Sequence, residues 1–114
     1  MEISLTMTDG IPVYHLTGRL DVLSAPQLEE RLTPLAEEHC RGAVFDCAGL
    51  VYVSSAGLRV FLTSQRLLKA KGGGIVFTHL NPAVKDLFNL SGLANLFVEE
   101  PTVEAAAARL SKGS

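Results

Sequence analysis

The segment Val51-Tyr-Val-Ser54-Ser55-Ala56-Gly57-Leu58-Arg59 changes its period with no connecting loop. An apolar, β-branched run of strand character stops at two hydroxyls, and helical apolar spacing begins at once. A chain built this way runs a strand directly into a helix, and the same change of period recurs several times along it. Strands alternating with helices demand a mostly parallel sheet joined by right-handed crossovers. The junction also sets a local chemistry. It places a serine on the first turn of a helix, beside backbone N–H groups that have no intrahelical partner. Orphan donors and the helix dipole both favour an anion there. A phosphate at that point is stabilised locally and changes the surface by about −1.5 to −2 charges.

The remaining elements follow from the same two periods. Ile3, Leu5 and Met7 alternate with polar residues, as in a half-buried strand. Asp9-Gly10 suits the positive φ of a tight turn and leads into a strand from Val13 to Thr17, which makes an antiparallel hairpin. Ser24-Ala-Pro26-Gln27 reads as a helix start, with Ser24 capping and Gln27 at the capping-box offset. Leu28, Leu32, Leu35 and Ala36 form its buried stripe, Gly42 ends the unit, and Ala43 to Cys47 is a short strand. The second helix spans about Ser55 to Ala70, with Leu58, Phe61, Leu62, Gln65 and Leu68 at helical spacing. Gly72-Gly-Gly74 stops it before a strand from Ile75 to Thr78. Asn81-Pro82 opens a helix with Val84, Leu87, Phe88 and Leu90 on its apolar face, ended by Gly92. Leu96-Phe-Val98 is the last strand, and Thr102 caps an alanine-rich helix to about Leu110. Only Ser111 to Ser114 reads as a loose tail.

These elements, with no internal repeat and no long linker, imply a single domain over residues 1–114. The fold class is α/β: an N-terminal antiparallel hairpin, then mostly parallel strands, with about four helices. Hydrophobic residues make up 47% and charged residues 19%, which places the chain among globular proteins. A formal net charge of −2 argues against a nucleic-acid partner, which calls for a basic face. No apolar run approaches the ~18 residues of a membrane span, and the start lacks the basic and apolar regions of a signal peptide. A cytoplasmic protein is expected. Cys40 and Cys47 match neither CxxC nor a zinc spacing and read as ordinary apolar or helix-end residues in a reducing compartment.

Each candidate for chemistry meets a plainer reading. A hydrolase elbow at Ser55 needs a glycine two residues on either side; Gly57 supplies one, but Val53 occupies the other place. No Asp or Glu lies between Ser55 and His79, and no histidine follows. An enzyme is therefore not expected. His15, His39 and His79 are scattered without HxxxH spacing and read as surface or boundary residues, with no metal site and no cofactor. Gly72-Gly-Gly74 leads into a strand without GK[ST], so it is a connection and not a phosphate cradle. On spacing alone the two serines favour plain capping, with Ser54 as N-cap and Ser55 as the first helical residue.

Three segments together resemble the anti-sigma factor antagonists, single-domain members of the STAS family. They are Leu16-Thr-Gly18-Arg-Leu20-Asp21 with Ser24-Ala-Pro26; Asp46 through Leu50 to Leu58; and Asn81-Pro82-Ala-Val84 to Leu87-Phe88 with Leu90-Ser-Gly92-Leu93. The resemblance runs roughly from Ile3 to Leu110. It implies a partner switch. The unmodified protein binds an anti-sigma factor that is also a serine kinase, and so frees a sigma factor. Phosphorylation of one serine releases the kinase, and a metal-dependent serine phosphatase restores binding.

Aligned on Gly57-Leu58, the phosphoacceptor falls on Ser55, with Ser54 as the alternative. The family's common aspartate before the acceptor is Ser54 here, and the usual hydroxyl residue after it is Ala56. The implied partner face comprises Asp21, Ser24, Ser54, Ser55, Ala56, Gly57 and Arg59. Arg59, one turn beyond Ser55, is placed to pair with a phosphate. Asp21 reads equally as a turn aspartate. Two rivals stand beside the switch: a constitutive, unphosphorylated STAS scaffold, and a module that binds a nucleotide or lipid at the helix N-termini. A monomer or weak dimer is expected.

Overall fold

Right-handed crossovers joining strands laid side by side in chain order must stack their helices on one face of the sheet. The computed structural model, which describes residues 1–112, has this arrangement. The strands are β1 (Glu2–Thr8), β2 (Ile11–Leu20), β3 (Gly42–Val53), β4 (Gly74–Thr78) and β5 (Val98–Glu100), in the order β1-β2-β3-β4-β5. The β1–β2 pair is antiparallel and every later pair is parallel. Helices α1 (Ala25–Arg31), α2 (Ser55–Lys69) and α3 (Pro82–Leu90) supply Leu28, Phe61, Val84 and Phe88 to one core. Helix α4 (Val103–Lys112) follows β5 and covers the other face, where Ala106 meets Val13, Val44 and Val76.

The alternation of the strands sorts side chains between these two layers. Tyr14 and Phe45 turn to the larger core, Val13 and Val44 to the smaller. In the larger core Phe61 sits among Phe45, Phe77, Phe88 and Phe97, with ring centroids 5.1 to 6.4 Å apart and mostly edge-to-face.

The hairpin turn follows its sequence: Asp9 and Gly10 have φ of 53° and 77°, the signs a type I′ turn requires. Elsewhere the elements depart from the sequence reading. The first helix ends at Arg31, and Thr33–Ala36 continues as a 3₁₀ turn, because Pro34 has no N–H and its ring opposes the preceding carbonyls. Leu28, Leu32 and Leu35 are buried as expected, but Ala36 is exposed. Of the first strand only Ile3 is buried; Leu5 and Met7 are exposed. Strand β2 runs on to Leu20, and β3 is twelve residues long, well beyond the expected Ala43 to Cys47. Helix α2 stops at Lys69, with Ala70 as its C-cap and Leu62 half-buried. Leu90 is exposed, and the last strand begins at Val98, later than expected. Ser111 and Lys112 belong to α4; Gly113 and Ser114, the rest of the expected tail, lie outside the described residues.

Phe61 is the joint between α2 and the sheet. Its truncation to alanine is expected to cost about 3–5 kcal/mol, read as a drop in the urea midpoint with an unchanged slope.

Candidate functional site

The length of β3 creates the site. Strand β4 ends at Thr78, opposite Asp46, while β3 runs seven residues farther with β2 as its neighbour. Val51 and Tyr52 are therefore exposed on this projection, and the Arg19 guanidinium stacks over the Tyr52 ring at 4.2 Å. The projection closes where the Ser54 amide donates to the Leu20 carbonyl at 2.8 Å.

Ser54 then starts α2. Its backbone is extended, with φ −89° and ψ 175°, and its Oγ accepts from the Gly57 amide at 3.3 Å. This is N-capping, as an aspartate at the same place would provide. Ser55 is the first helical residue and is exposed. Its hydroxyl has no hydrogen-bond partner among the described residues. The first turn of α2 holds no acidic residue, whereas Arg66 and Lys69 occupy its last turn. The positive end of the helix is thus left without a local counter-charge at Ser55.

Gly57 is buried. A Cβ there would lie 2.6 Å from Leu20 Cγ and 3.0 Å from Val53 Cγ1. The residue lets the start of α2 press onto the ends of β2 and β3, and it supports the exposed surface from beneath. Ser24 is also buried, and it does not cap α1 as the sequence suggested. Its Oγ donates to the Arg19 carbonyl at 2.8 Å and accepts from the Asp21 amide at 2.9 Å. Asp21 takes the turn role instead, its Oδ1 accepting from the Leu23 and Ser24 amides at 3.1 Å each. The Ser24 amide, above all, holds the Asp21 carboxyl below its ordinary pKa.

The structure brings Asp21, Ser54, Ser55, Ala56 and Arg59 to one end of the molecule. It also adds residues that the sequence reading missed. Val22 and Leu23 are 71% and 86% exposed on the turn after β2. Val22, Pro26 and Glu29 face Ala56, Arg59, Thr63 and Leu67 across a groove of about 440 Å³ between α1 and α2. Two adjacent apolar residues in a turn were the available signal, since turns ordinarily carry polar residues.

A second cluster lies at the strands' other polar row. Asp46 Oδ2 is 2.7 Å from His15 Nδ1, and Asp46 Oδ1 is 2.9 Å from His79 Nδ1. His15 Nε2 meets Thr6 Oγ1 at 2.8 Å, so the chain of contacts crosses four strands' worth of backbone. His79 keeps this position with a positive φ of 58°. The two histidines that looked scattered are paired with one carboxylate by strand register, which sequence spacing does not encode. Burial raises the Asp46 pKa, but bonds from His79, His15 and the Ala48 amide outweigh it and hold the carboxyl below its ordinary value.

Comparisons with known proteins agree with this architecture. Residues 2–106 match the STAS domain family. BtrV of Bordetella bronchiseptica, assigned as an anti-sigma factor antagonist, is 35% identical over 95% of this chain and 93% of its own length. The anti-sigma-B factor antagonist of Bacillus subtilis is 34% identical over 72% of this chain and 74% of its own. The Bacillus protein SpoIIAA, 24% identical, has the same fold. Its unphosphorylated structure superposes with a TM-score of 0.82 over 97% of both chains. Its phosphorylated form gives 0.73 over 95% of this chain and 98% of that one. Among the described residues no helix is long and apolar enough to cross a membrane.

Three outcomes follow for stability. Ser54→Ala is expected to lose about 1 kcal/mol through the cap, whereas Ser55→Ala should stay within about 0.5 kcal/mol, by urea unfolding. Gly57→Ala should destabilise by about 1–3 kcal/mol despite alanine's better helix propensity, because the added methyl meets Leu20 and Val53. The lowered Asp46 pKa contributes stability at neutral pH that is lost as pH falls below the ordinary carboxylate value, near 4. Asp46→Asn is therefore expected to unfold more easily than the native chain at pH 7, with the gap narrowing by pH 3. The family match over 2–106 and the 35% identity across nearly the whole chain make this protein a member of the STAS domain family.

Proposed function

We propose that this chain is an anti-sigma factor antagonist, a cytoplasmic partner-switching protein whose state is set at Ser55. The observation that carries the reading is the placement of the Ser55 hydroxyl: exposed, without a partner among the described residues, and on a helix end with no acidic residue. It adjoins an apolar groove lined by Val22, Ala56 and Leu67. That groove offers the dehydrated contact on which protein partners bind, and Leu23 stands beside it at the surface. The chain's role is binding; phosphoryl transfer belongs to an anti-sigma factor kinase, and removal of the phosphate to a serine phosphatase.

The mechanism is local electrostatics on a rigid scaffold. In the unmodified protein the kinase seats against Val22, Leu23 and the first turn of α2. A phosphate on Ser55 brings about −2 charges beside that apolar contact and adds the cost of desolvating them. Arg59, four residues on, is on the same side of α2 and is available to hold the phosphate in place. The fold need not change. Ser54 caps α2 through its Oγ, which ties that hydroxyl to the helix and favours Ser55 as acceptor.

Incubation with the cognate anti-sigma kinase and ATP tests this, read by intact mass and by affinity. The native chain should gain a single phosphate, retained in Ser54→Ala and lost in Ser55→Ala. Ser55→Asp should weaken the complex about tenfold or more, while Ser55→Ala keeps it. Leu23→Asp should abolish binding. A stable complex with no phosphate transfer would leave a constitutive scaffold and overturn the switch.

A further inference from the structure

Leu5 and Met7, the two apolar residues of β1 that the core leaves uncovered, are 46% and 61% exposed. They stand on one wall of a cavity of about 630 Å³, at the end of β3 remote from Ser55. Pro34 and Leu35 of the 3₁₀ turn continue its apolar lining, and the glycines of residues 72–74 close it. That wall is tightly built. The Gly74 amide donates to the Arg41 carbonyl at 2.9 Å, and a Cβ at Gly73 would overlap the same carbonyl. Several hundred Å³ with a mainly apolar lining is the scale of a small-molecule site.

Two polar features distinguish the cavity. The first is Tyr14, which lines it and is 1% exposed. Its hydroxyl is the one buried side-chain polar atom among the described residues with no hydrogen-bond partner. Such a group costs stability unless something pairs with it. Burial raises the Tyr14 pKa above its ordinary value, so the hydroxyl keeps its proton and is a donor at neutral pH. The second feature is charge. Arg41, Lys69 and Lys71 line the cavity, against Asp9 and Glu37. Arg109 also lines it but is held by Glu100 of β5 at 3.0 Å, as Lys85 is held by Glu99 at 3.2 Å. Arg41 and Lys69 have no such partner among the described residues. Lys71 Nζ donates to the Leu35 and Glu37 carbonyls and has a third proton to give.

We infer that this cavity binds a small amphiphilic carboxylate, with its apolar tail against Leu5, Met7 and Leu35 and its acid group on the Tyr14 hydroxyl, within the field of Arg41, Lys69 and Lys71. Each part of the ligand answers one feature of the site. A tail removes Leu5 and Met7 from water, which a bound water or an inorganic anion would not do. A carboxylate accepts the Tyr14 proton in a charge-assisted bond and offsets the excess of cations. A nucleotide is a poorer match, because the glycine run leads into β4 and offers phosphates no helix N-terminus. The groove between α1 and α2 shares no lining residue with this cavity, so the inference stands apart from phosphorylation at Ser55.

Titration of the isotope-labelled full chain with decanoate, below its micelle concentration, tests this through amide chemical shifts. Shifts should saturate at Leu5, Met7, Cys40 and residues 72–74, and leave residues 54–59 in place. Decanol, with the tail and no charge, and acetate, with the charge and no tail, should each bind at least about tenfold more weakly. Tyr14→Phe removes the unpaired hydroxyl; it should weaken decanoate about tenfold while the melting temperature stays level or rises. Lys69→Ala should weaken decanoate and leave decanol unchanged. Met7→Asp, at an exposed site, should weaken both, and Leu67→Lys, in the groove between α1 and α2, should change neither. Failure of decanoate to bind, shifts gathered along the Val22 and Leu67 groove instead, a carboxylate held no more tightly than the alcohol, or affinity unchanged in Tyr14→Phe would each overturn the inference.

Discussion

The contact of Gly57 with Leu20 and Val53 is the constraint on which the functional end of the molecule depends. A helix that starts directly after a strand must cross back over that strand, and only a missing Cβ lets it come so close. The approach fixes the direction of α2, and with it the projection of Ser55 and the distance between α1 and α2. It also places Phe61, one turn farther on, among the rings of Phe45 and Phe77. The chemistry of the surface and the packing of the core thus share one support. A substitution at Gly57 would disturb both, although the residue itself never reaches solvent.

Much of the architecture was legible because the determinants are local. The period change at Ser54-Ser55, the Asp9-Gly10 turn and the Asn81-Pro82 cap all specify backbone conformation within a few residues. Asn81 Oδ1 accepts from the Val84 amide at 2.8 Å, as its position implies. Elsewhere tertiary structure outweighs such signals. Ser24 has the sequence of a cap, yet the turn at Asp21 draws its hydroxyl to the Arg19 carbonyl. Pro34 breaks a stripe whose leucines still fall into the core. The middle of β3 reads poorly as a strand because Ala48 and Gly49 interrupt the pattern between Cys47 and Leu50, and pairing with β2 carries it through.

The candidate site divides in the same way. Ser54, Ser55 and Arg59 share a helix, so their relation follows from helical geometry. The juxtaposition of Val22 with Leu67, or of His15 with His79 around Asp46, depends on which strands are neighbours. Such pairs become visible only once the sheet order is known. The aspartate–histidine cluster illustrates the point: its three members are far apart in sequence and adjacent in register. It ties neighbouring strands together laterally, beside the smaller core where α4 packs Ala106, Val103 and Leu110.

The charged, abbreviated β5 has a consequence for assembly at high concentration. A sheet with two receptive edges can add copies without end and grow into a filament. Here one edge is shut by its glutamates and their cationic partners. At the other edge the Arg31 guanidinium takes the Ile3 carbonyl of β1 at 3.0 Å. Strand-by-strand growth from both sides, the route to a filament, is therefore closed at β5. The three residues Val98–Glu100 thereby keep that side of the sheet from accepting a further strand.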